Sequence, residues 1–380
     1  MDTSNMTQSK LFQPFDLGQG LVLRNRVVMA PMTTWSANDD GTVSDAEVAY
    51  YRKRVDGVGL VITGCTHVQA NGVGFTGEFA ADDDSFIPSL TRLAVAAKSG
   101  GAPAILQIFH AGSKTLAALT SDMVSASTVP SDPGPFNEPL APRAMTEAEI
   151  VETIDAFGQA TRRAILAGFD GVELHGAHGF LIQQFLSPHS NRRDDRWGGL
   201  LANRMGFPLD VVEAVRAAIE TLADRPFLLG YRISPEEQNE GGLRMKDSFE
   251  LIDRLIDAGV DYLHASLWSA LDIRPIGQSD GPTVLELLVH FLQDRIPMIA
   301  AGSIRTPMQA EQAIHSGLPL VAVGQGLVLN PAWVELAARG RSEAFAQSIA
   351  ATDVERLAIP AKLWTVIEET PGWFEVRKAA

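Results

Sequence analysis

Eight short runs along the chain are apolar at nearly every position: RVVMAPM from Arg26, GLVITG from Gly59, PAILQIFH from Pro103, GFDGVELHG from Gly168, FLLGYRIS from Phe227, YLHAS from Tyr262, PMIAAGS from Pro297 and LVAVGQG from Leu320. Alternation of apolar and polar residues marks a strand with one wet face; continuous runs of this length mark strands covered on both faces, as in parallel sheets. Each run is followed by a segment of helical period. Ser44 and Glu47 have the spacing of a capping box for DAEVAYYRKRV, as do Thr146 and Glu149 for the long helix to Ala167, and Asp247 and Glu250 for SFELIDRLIDAG. Thr306-Pro307 is an N-cap and first-turn pair for MQAEQAIHSG.

Eight βα units predict an α/β fold, a single (β/α)8 TIM barrel. A doubly wound open sheet would want a glycine-rich dinucleotide turn after the first strand, and APMTTW offers none. Residues 1–10 read as a disordered or extended N-terminus. The barrel domain spans 11–370, opening with an N-terminal β-hairpin lid over LFQPFDLGQGLVLRNR with Gly18 and Gly20 in its turn, and closing with a C-terminal helical extension to about Glu369. Residues 371–380 read as an irregular C-terminal tail.

Composition narrows the class. Of 380 residues, 46% are hydrophobic and 20% charged, which is ordinary for a globular chain. Lys plus Arg number 31 against 46 Asp plus Glu, so the net charge is 31 − 46 = −15, which argues against nucleic acid or an anionic membrane as partner. With one cysteine, Cys65, a disulfide framework, a cysteine-ligated iron–sulfur cluster and a structural zinc site are excluded within one chain. The first ten residues lack the apolar core of a signal peptide and no run is long enough to span a bilayer, so a cytoplasmic location is expected.

In barrels of this kind the working residues sit at the C-terminal strand ends. The fourth strand ends in His175 and His178 and leads into a long polar stretch, SPHSNRRDDRWGG, with the look of an ordered functional loop. Two imidazoles there can hold one carbonyl or phenolate oxygen. Glu173, His175 and His178 could instead ligate a metal, which leaves open a metal-dependent hydrolase or isomerase. Arg232, on the fifth strand, needs an anionic partner, either Glu173 or an electron-rich ligand. None of the strands contains a lysine, against a Schiff-base lyase. The seventh and eighth strands end in Gly302-Ser303 and Gly324-Gln325, each before a helix, where backbone amides can hold a phosphate.

Pro31-Met32-Thr33 after NRVVMA, Gln107 in LQIFHAG, the HGAHGFL run from His175, the S-P-x-x-N-x-R-x-D-x-x-G-G run from Ser187, Asn203-Arg204 and the seventh-strand AGS together resemble the Old Yellow Enzyme family of flavin-dependent ene-reductases. The resemblance implies FMN at the top of the barrel, with Pro31, Met32 and Thr33 along the isoalloxazine, Cys65 facing it, Gln107 on its pyrimidine edge and Arg232 near N1 and O2. Gly302, Ser303, Gly324 and Gln325 would surround its phosphate. His175 and His178 would be the catalytic pair, gripping the oxygen of an α,β-unsaturated carbonyl while hydride from NADH or NADPH passes by way of the flavin to the β-carbon. Trp35 lies where some relatives place an aromatic lid over the substrate.

Two positions depart from the family pattern. Phe180 stands where the family usually has the tyrosine that protonates the α-carbon, so weak or restricted ene-reductase activity is the second alternative. Gln325 stands where arginine commonly binds the FMN phosphate, and Arg305 is a candidate to compensate. A small-molecule substrate is expected. A homo-oligomer is left open: the tail could reach a neighbour's site through Trp373 or Arg377, or cover its own barrel.

Overall fold

The computed structural model of the chain describes residues 9–134, 136 and 139–377. Residues 1–8 and 378–380, parts of the two expected tails, lie outside the described residues. Eight parallel strands close on themselves: β1 (Val27–Met29), β2 (Leu60–Ile62), β3 (Ala104–Phe109), β4 (Gly171–Gly176), β5 (Leu228–Ile233), β6 (Tyr262–Ser266), β7 (Met298–Ala301) and β8 (Leu320–Val323). Each pairs with the next, and β8 returns to β1. Strands β3, β4 and β5 are buried at all six positions, as continuous apolar patterning requires.

The helices pack outside. They are α1 (Asp45–Arg54), α2 (Ile87–Ala97), α3 (Glu147–Ala167), α4 (Gly206–Leu222), α5 (Met245–Asp257), α6 (Val284–Leu292), α7 (Pro307–His315) and α8 (Trp333–Ala338), the last preceded by the short turn of helix Gln325–Leu329. The main core lies between helices and strands, joining residues such as Leu106, Val172, Leu174 and Leu229 to Phe157, Val211 and Leu251. A second core fills the barrel from its strand-start end: Leu17 and Leu23 of the antiparallel hairpin Phe15–Asp16 and Val22–Leu23 meet Leu60, Ile105, Leu228, Tyr262 and Leu320. The hairpin therefore lies at the end opposite the long loops. Among the described residues no helix is long and apolar enough to cross a membrane.

Two of the three expected capping boxes change in detail. Asp247 does not begin α5; it sits at the third helical position and its carboxylate accepts from the Arg244 backbone N–H at 3.0 Å, so the helix starts at Met245. Ser44 does cap α1, accepting from the Glu47 N–H at 3.2 Å, but the Glu47 carboxylate turns inward to the Thr34 hydroxyl and burial pushes its pKa up to about 7. After α8 only Ala361–Glu369 is α-helical, with two isolated 3-10 turns before it, so the extension is less helical than expected.

The loop after β4 is fastened by its polar residues. The Asn191 amide donates to the carbonyls of Phe185 (2.6 Å) and Trp197 (2.7 Å), Arg193 donates to those of Ala126 (3.0 Å) and Met145 (2.7 Å), and Ser187 donates to Glu237 at 2.5 Å. These bonds tie the end of β4 to the segments before α3 and after β5.

Thr146 and Glu149 form the one complete box of the three, reciprocally bonded at the start of α3, and neither lines the barrel's cavity. Thr146→Ala is expected to cost about 0.5–2 kcal/mol of stability, read as a lower urea midpoint with an unchanged flavin spectrum.

Candidate active site

A cavity of about 790 Å³ opens at the C-terminal strand ends, and every site residue expected from the sequence lines it: Pro31, Met32, Thr33 and Trp35 after β1, Cys65 after β2, Gln107 on β3, His175, His178 and Phe180 on and after β4, Arg232 on β5, Gly302 and Ser303 after β7, Gly324 and Gln325 after β8. The barrel gathers them because each strand ends on the same face. His110 and His264, also at strand ends, are not in its lining. The Gly112 N–H donates to His110 Nδ1 at 3.1 Å, so the proton sits on Nε2 facing the Asn71 amide oxygen at 3.3 Å, and burial pushes this pKa down to about 3.

The cavity floor is built on one carboxylate. Glu173 is fully buried and accepts from Gln107 Nε2 (2.7 Å), the Tyr262 hydroxyl (3.1 Å) and His264 Nδ1 (2.9 Å). Burial alone would raise its pKa; His264, these hydrogen bonds and Arg232 outweigh it and hold the group below the ordinary carboxylate range. Gln107 is thereby oriented, with its carbonyl taking the Cys65 Sγ proton at 3.4 Å. Burial lifts the Cys65 pKa to about 12, so it stays a thiol.

The partner expected for Arg232 goes elsewhere. Glu173 pairs with His264, and Arg232 keeps one contact, Nη2 to Ser266 Oγ at 3.0 Å, while its buried Nε has no hydrogen-bond partner. An arginine cannot escape the cost of burial by losing its proton, so the open edge asks for an anionic or electron-rich ligand. With Glu173 consumed, the metal reading loses its carboxylate: among the described residues no group of three His, Cys, Asp or Glu could hold a metal.

His175 and His178 stand edge to face with ring centroids 4.9 Å apart. The Ala177 N–H donates to His175 Nδ1 at 3.3 Å, which puts that ring's proton on Nε2. His178 Nε2 lies 2.6 Å from Ser266 Oγ, an oxygen that also accepts from Arg232 Nη2. Enclosure, together with the charges of Arg232 and Lys114 and, for His175, the neighbouring His178, holds both rings well below the ordinary imidazole range, although His178 opens onto the cavity. His178 also has a left-handed backbone (φ 59), as do Trp35 (φ 53) and Ser303 (φ 53) around the same cavity, a placement of strain common at functional sites.

Phe180 closes one wall against His175 (4.8 Å) and Phe109 (4.9 Å). The rim is aromatic: Trp35 touches Phe75 (5.6 Å), Phe136 (5.3 Å) and Trp373 (5.9 Å). Residues Thr370–Trp373 line the chain's own cavity, while Arg377 turns away to Asp353 at 3.1 Å. Gln325 Nε2 donates to the Trp373 carbonyl at 2.5 Å, which fastens the tail to the end of β8. Sequence reasoning did not place Phe75, Phe136, Trp268 or Ile304 in the site, because they come from loops without a periodic signature.

The family model described as "NADH:flavin oxidoreductase / NADH oxidase family" matches residues 10–344. The chain belongs to this family. It is 42% identical over 371 residues to "Probable NADH-dependent flavin oxidoreductase YqiG" of Bacillus subtilis (strain 168), covering 97% of this chain and 98% of that one. Three other curated relatives are longer, and the chain spans 35 to 50% of their length. Among solved structures, an Old Yellow Enzyme homologue from Zymomonas mobilis shares the fold (TM-score 0.77, 24% identity, 94% of this chain and 98% of that one). Morphinone reductase superposes with TM-score 0.72 at 27% identity, over 87% of this chain and 90% of that one. The resemblance to Old Yellow Enzymes is thus family membership, and the protein is an NAD(P)H-dependent FMN oxidoreductase.

The residues present fit FMN. Arg232 and Arg305 each turn a buried Nε without a partner at a cavity large enough for the cofactor. The backbone at Gly302 and Gly324 leaves space a side chain would take: a Cβ at Gly302 would stand 2.6 Å from the Leu267 carbonyl oxygen, and one at Gly324 3.1 Å from the Met32 sulfur.

His110 supplies a pH test. Its folded pKa of about 3 lies below the ordinary 6.5, so the stability it contributes is fully present above pH 6.5 and is lost as pH falls toward 3. The expected loss is up to about 1.4 kcal/mol per pH unit within that window. In His110→Asn the urea midpoint should fall less between pH 6.5 and 4 than in the parent; parallel curves would refute the assignment.

Proposed function

We propose that the enzyme reduces activated alkenes, with His175 and His178 gripping the electron-withdrawing oxygen. The observation that carries this reading is the pair of neutral imidazoles standing edge to face in the cavity lining, beside an arginine whose Nε has no partner. Bound FMN supplies the hydride chemistry, reloaded from NADH or NADPH. Two neutral donors suit a carbonyl or nitro oxygen, whose charge grows as hydride arrives at the β-carbon; their hydrogen bonds strengthen with that charge and lower the barrier. Arg232 would lie beside the flavin region that becomes electron-rich on reduction, where its positive charge would favour the reduced state. Pro31, Met32, Thr33, Cys65 and Gln107 would hold the ring, and Gly302, Ser303, Gly324 and Arg305 the phosphate. Gln325 is spent on the tail. A second reading, a flavin reductase with weak alkene turnover, draws on Phe180, whose ring has no proton to give.

NADH or NADPH should bleach the flavin anaerobically, and 2-cyclohexenone should restore its colour. His178→Ala should slow recolouring by about 100- to 1,000-fold, the usual cost of losing one such donor. Bleaching without recolouring by any of a panel of enones and nitroalkenes would favour the second reading.

Arg305→Ala should raise the FMN dissociation constant by about 10- to 100-fold, matching loss of one charge-assisted contact. Quenching of free FMN fluorescence by the protein measures it; unchanged affinity would remove Arg305 from the phosphate site.

A further inference from the structure

We propose that Lys114 is the proton source for the α-carbon, delivering through one bridging water the proton that Phe180 cannot supply. This rests on the alkene-reductase reading. Lys114 ends the 3-10 turn Gly112–Lys114 just beyond β3. Its Nζ stands 6.0 Å from the centre of the Phe180 ring, and a Cβ placed at Gly179 would lie 3.1 Å from its Cε and 3.4 Å from Nζ. The amine thus rests against the backbone between His178 and Phe180, the stretch that supports the substrate oxygen. Gly179, left-handed at φ 69, is what lets it approach so closely.

Lys114 is not itself in the cavity lining, so the bridging water is what carries its proton there, and the acids nearer the site are unsuited or committed. The four tyrosines of the chain, Tyr50, Tyr51, Tyr231 and Tyr262, are buried and none lines the cavity. Cys65 is a high-pKa thiol bonded to Gln107. His175 and His178 are neutral and each spends its one proton on the substrate oxygen. Arg232 and Arg305 hold their protons too tightly to act as acids. Among the described residues Lys114 makes no ion pair within 4 Å, so its ammonium is not locked away. Burial lowers its pKa, while Asp132 and Glu237 act in the opposite direction. A general acid works best with a pKa near the working pH, and this environment moves an amine that way.

The step balances. Hydride from the reduced cofactor forms the C–H bond at the β-carbon, and the π pair of the alkene moves to the α-carbon and the oxygen held by the histidines. The water beside Lys114 gives a proton to the α-carbon and takes one from Nζ. The amine is left neutral and regains a proton from solvent.

The test separates the two half-reactions by anaerobic stopped flow in the parent, Lys114→Met, Lys114→Arg, Phe180→Tyr and Lys114→Met/Phe180→Tyr. Lys114→Arg keeps the charge but cannot release the proton. Relative to bleaching by NADH in the same variant, recolouring by 2-cyclohexenone should fall about 100-fold or more in both single Lys114 variants and recover in the double variant. The basic limb of the parent's recolouring pH profile should vanish in Lys114→Met. Independently of turnover, NMR of 15N-lysine-labelled protein should show one side-chain amine titrating below the rest, absent in Lys114→Met. Lys114 variants that recolour at the parent's rate with the parent's pH profile, or the absence of a distinct amine, would overturn the proposal. A parent that bleaches but is recoloured by no enone would instead overturn the alkene-reductase reading beneath it.

Discussion

One buried carboxylate sets the terms for the barrel's interior. Glu173 sits where water cannot reach, and three donors from β3 and β6 surround it, so its charge is tolerated. The satisfaction is local and has a remote effect. By taking His264, Gln107 and Tyr262, Glu173 leaves Arg232 within its field but outside its grasp, and the guanidinium edge faces the cavity unspent. A direct Glu173–Arg232 pair would have closed the barrel as a stable polar plug with nothing to offer a ligand. The division of partners turns a structural carboxylate into support for a binding site.

The same arrangement reaches the histidines above it. Ser266 Oγ accepts from Arg232 and also meets His178 Nε2, so one hydroxyl couples the guanidinium to the imidazole. The Ala177 N–H fixes the tautomer of His175, leaving its proton on Nε2. The chain from Glu173 through Arg232 and Ser266 to His178 links β4, β5 and β6, so the substrate grip is set by barrel closure more than by the loop that carries it.

The strands were legible in the sequence because burial on both faces leaves an unbroken apolar run, and the site positions followed because strand ends are counted along those runs. The polar pairings were not legible. Nothing in the order of residues says that Glu173 prefers His264 to Arg232, since that depends on which side chains the barrel's circumference brings opposite each other. Glu47 shows the same limit: its spacing from Ser44 is right for a cap, and the hole beside Thr34 takes its carboxylate instead. Lys114 lies one turn beyond its strand, where neither the apolar run nor a helical period marks it. The rim residues Phe75, Phe136 and Trp268 carry no period at all.

The far end of the cavity shows how two departures from the family pattern fit together. A glutamine at 325 has no charge to offer a phosphate; its amide instead reaches the Trp373 carbonyl and holds the tail at the cavity. The lost charge is available one strand away, because Arg305 follows β7 and its Nε is free. Roof and anchor have in effect been shared between neighbouring strand ends. Trp373, seated by Gln325 and packed on Trp35, brings the tail over the barrel it belongs to, so the aromatic rim around the substrate is built from one chain.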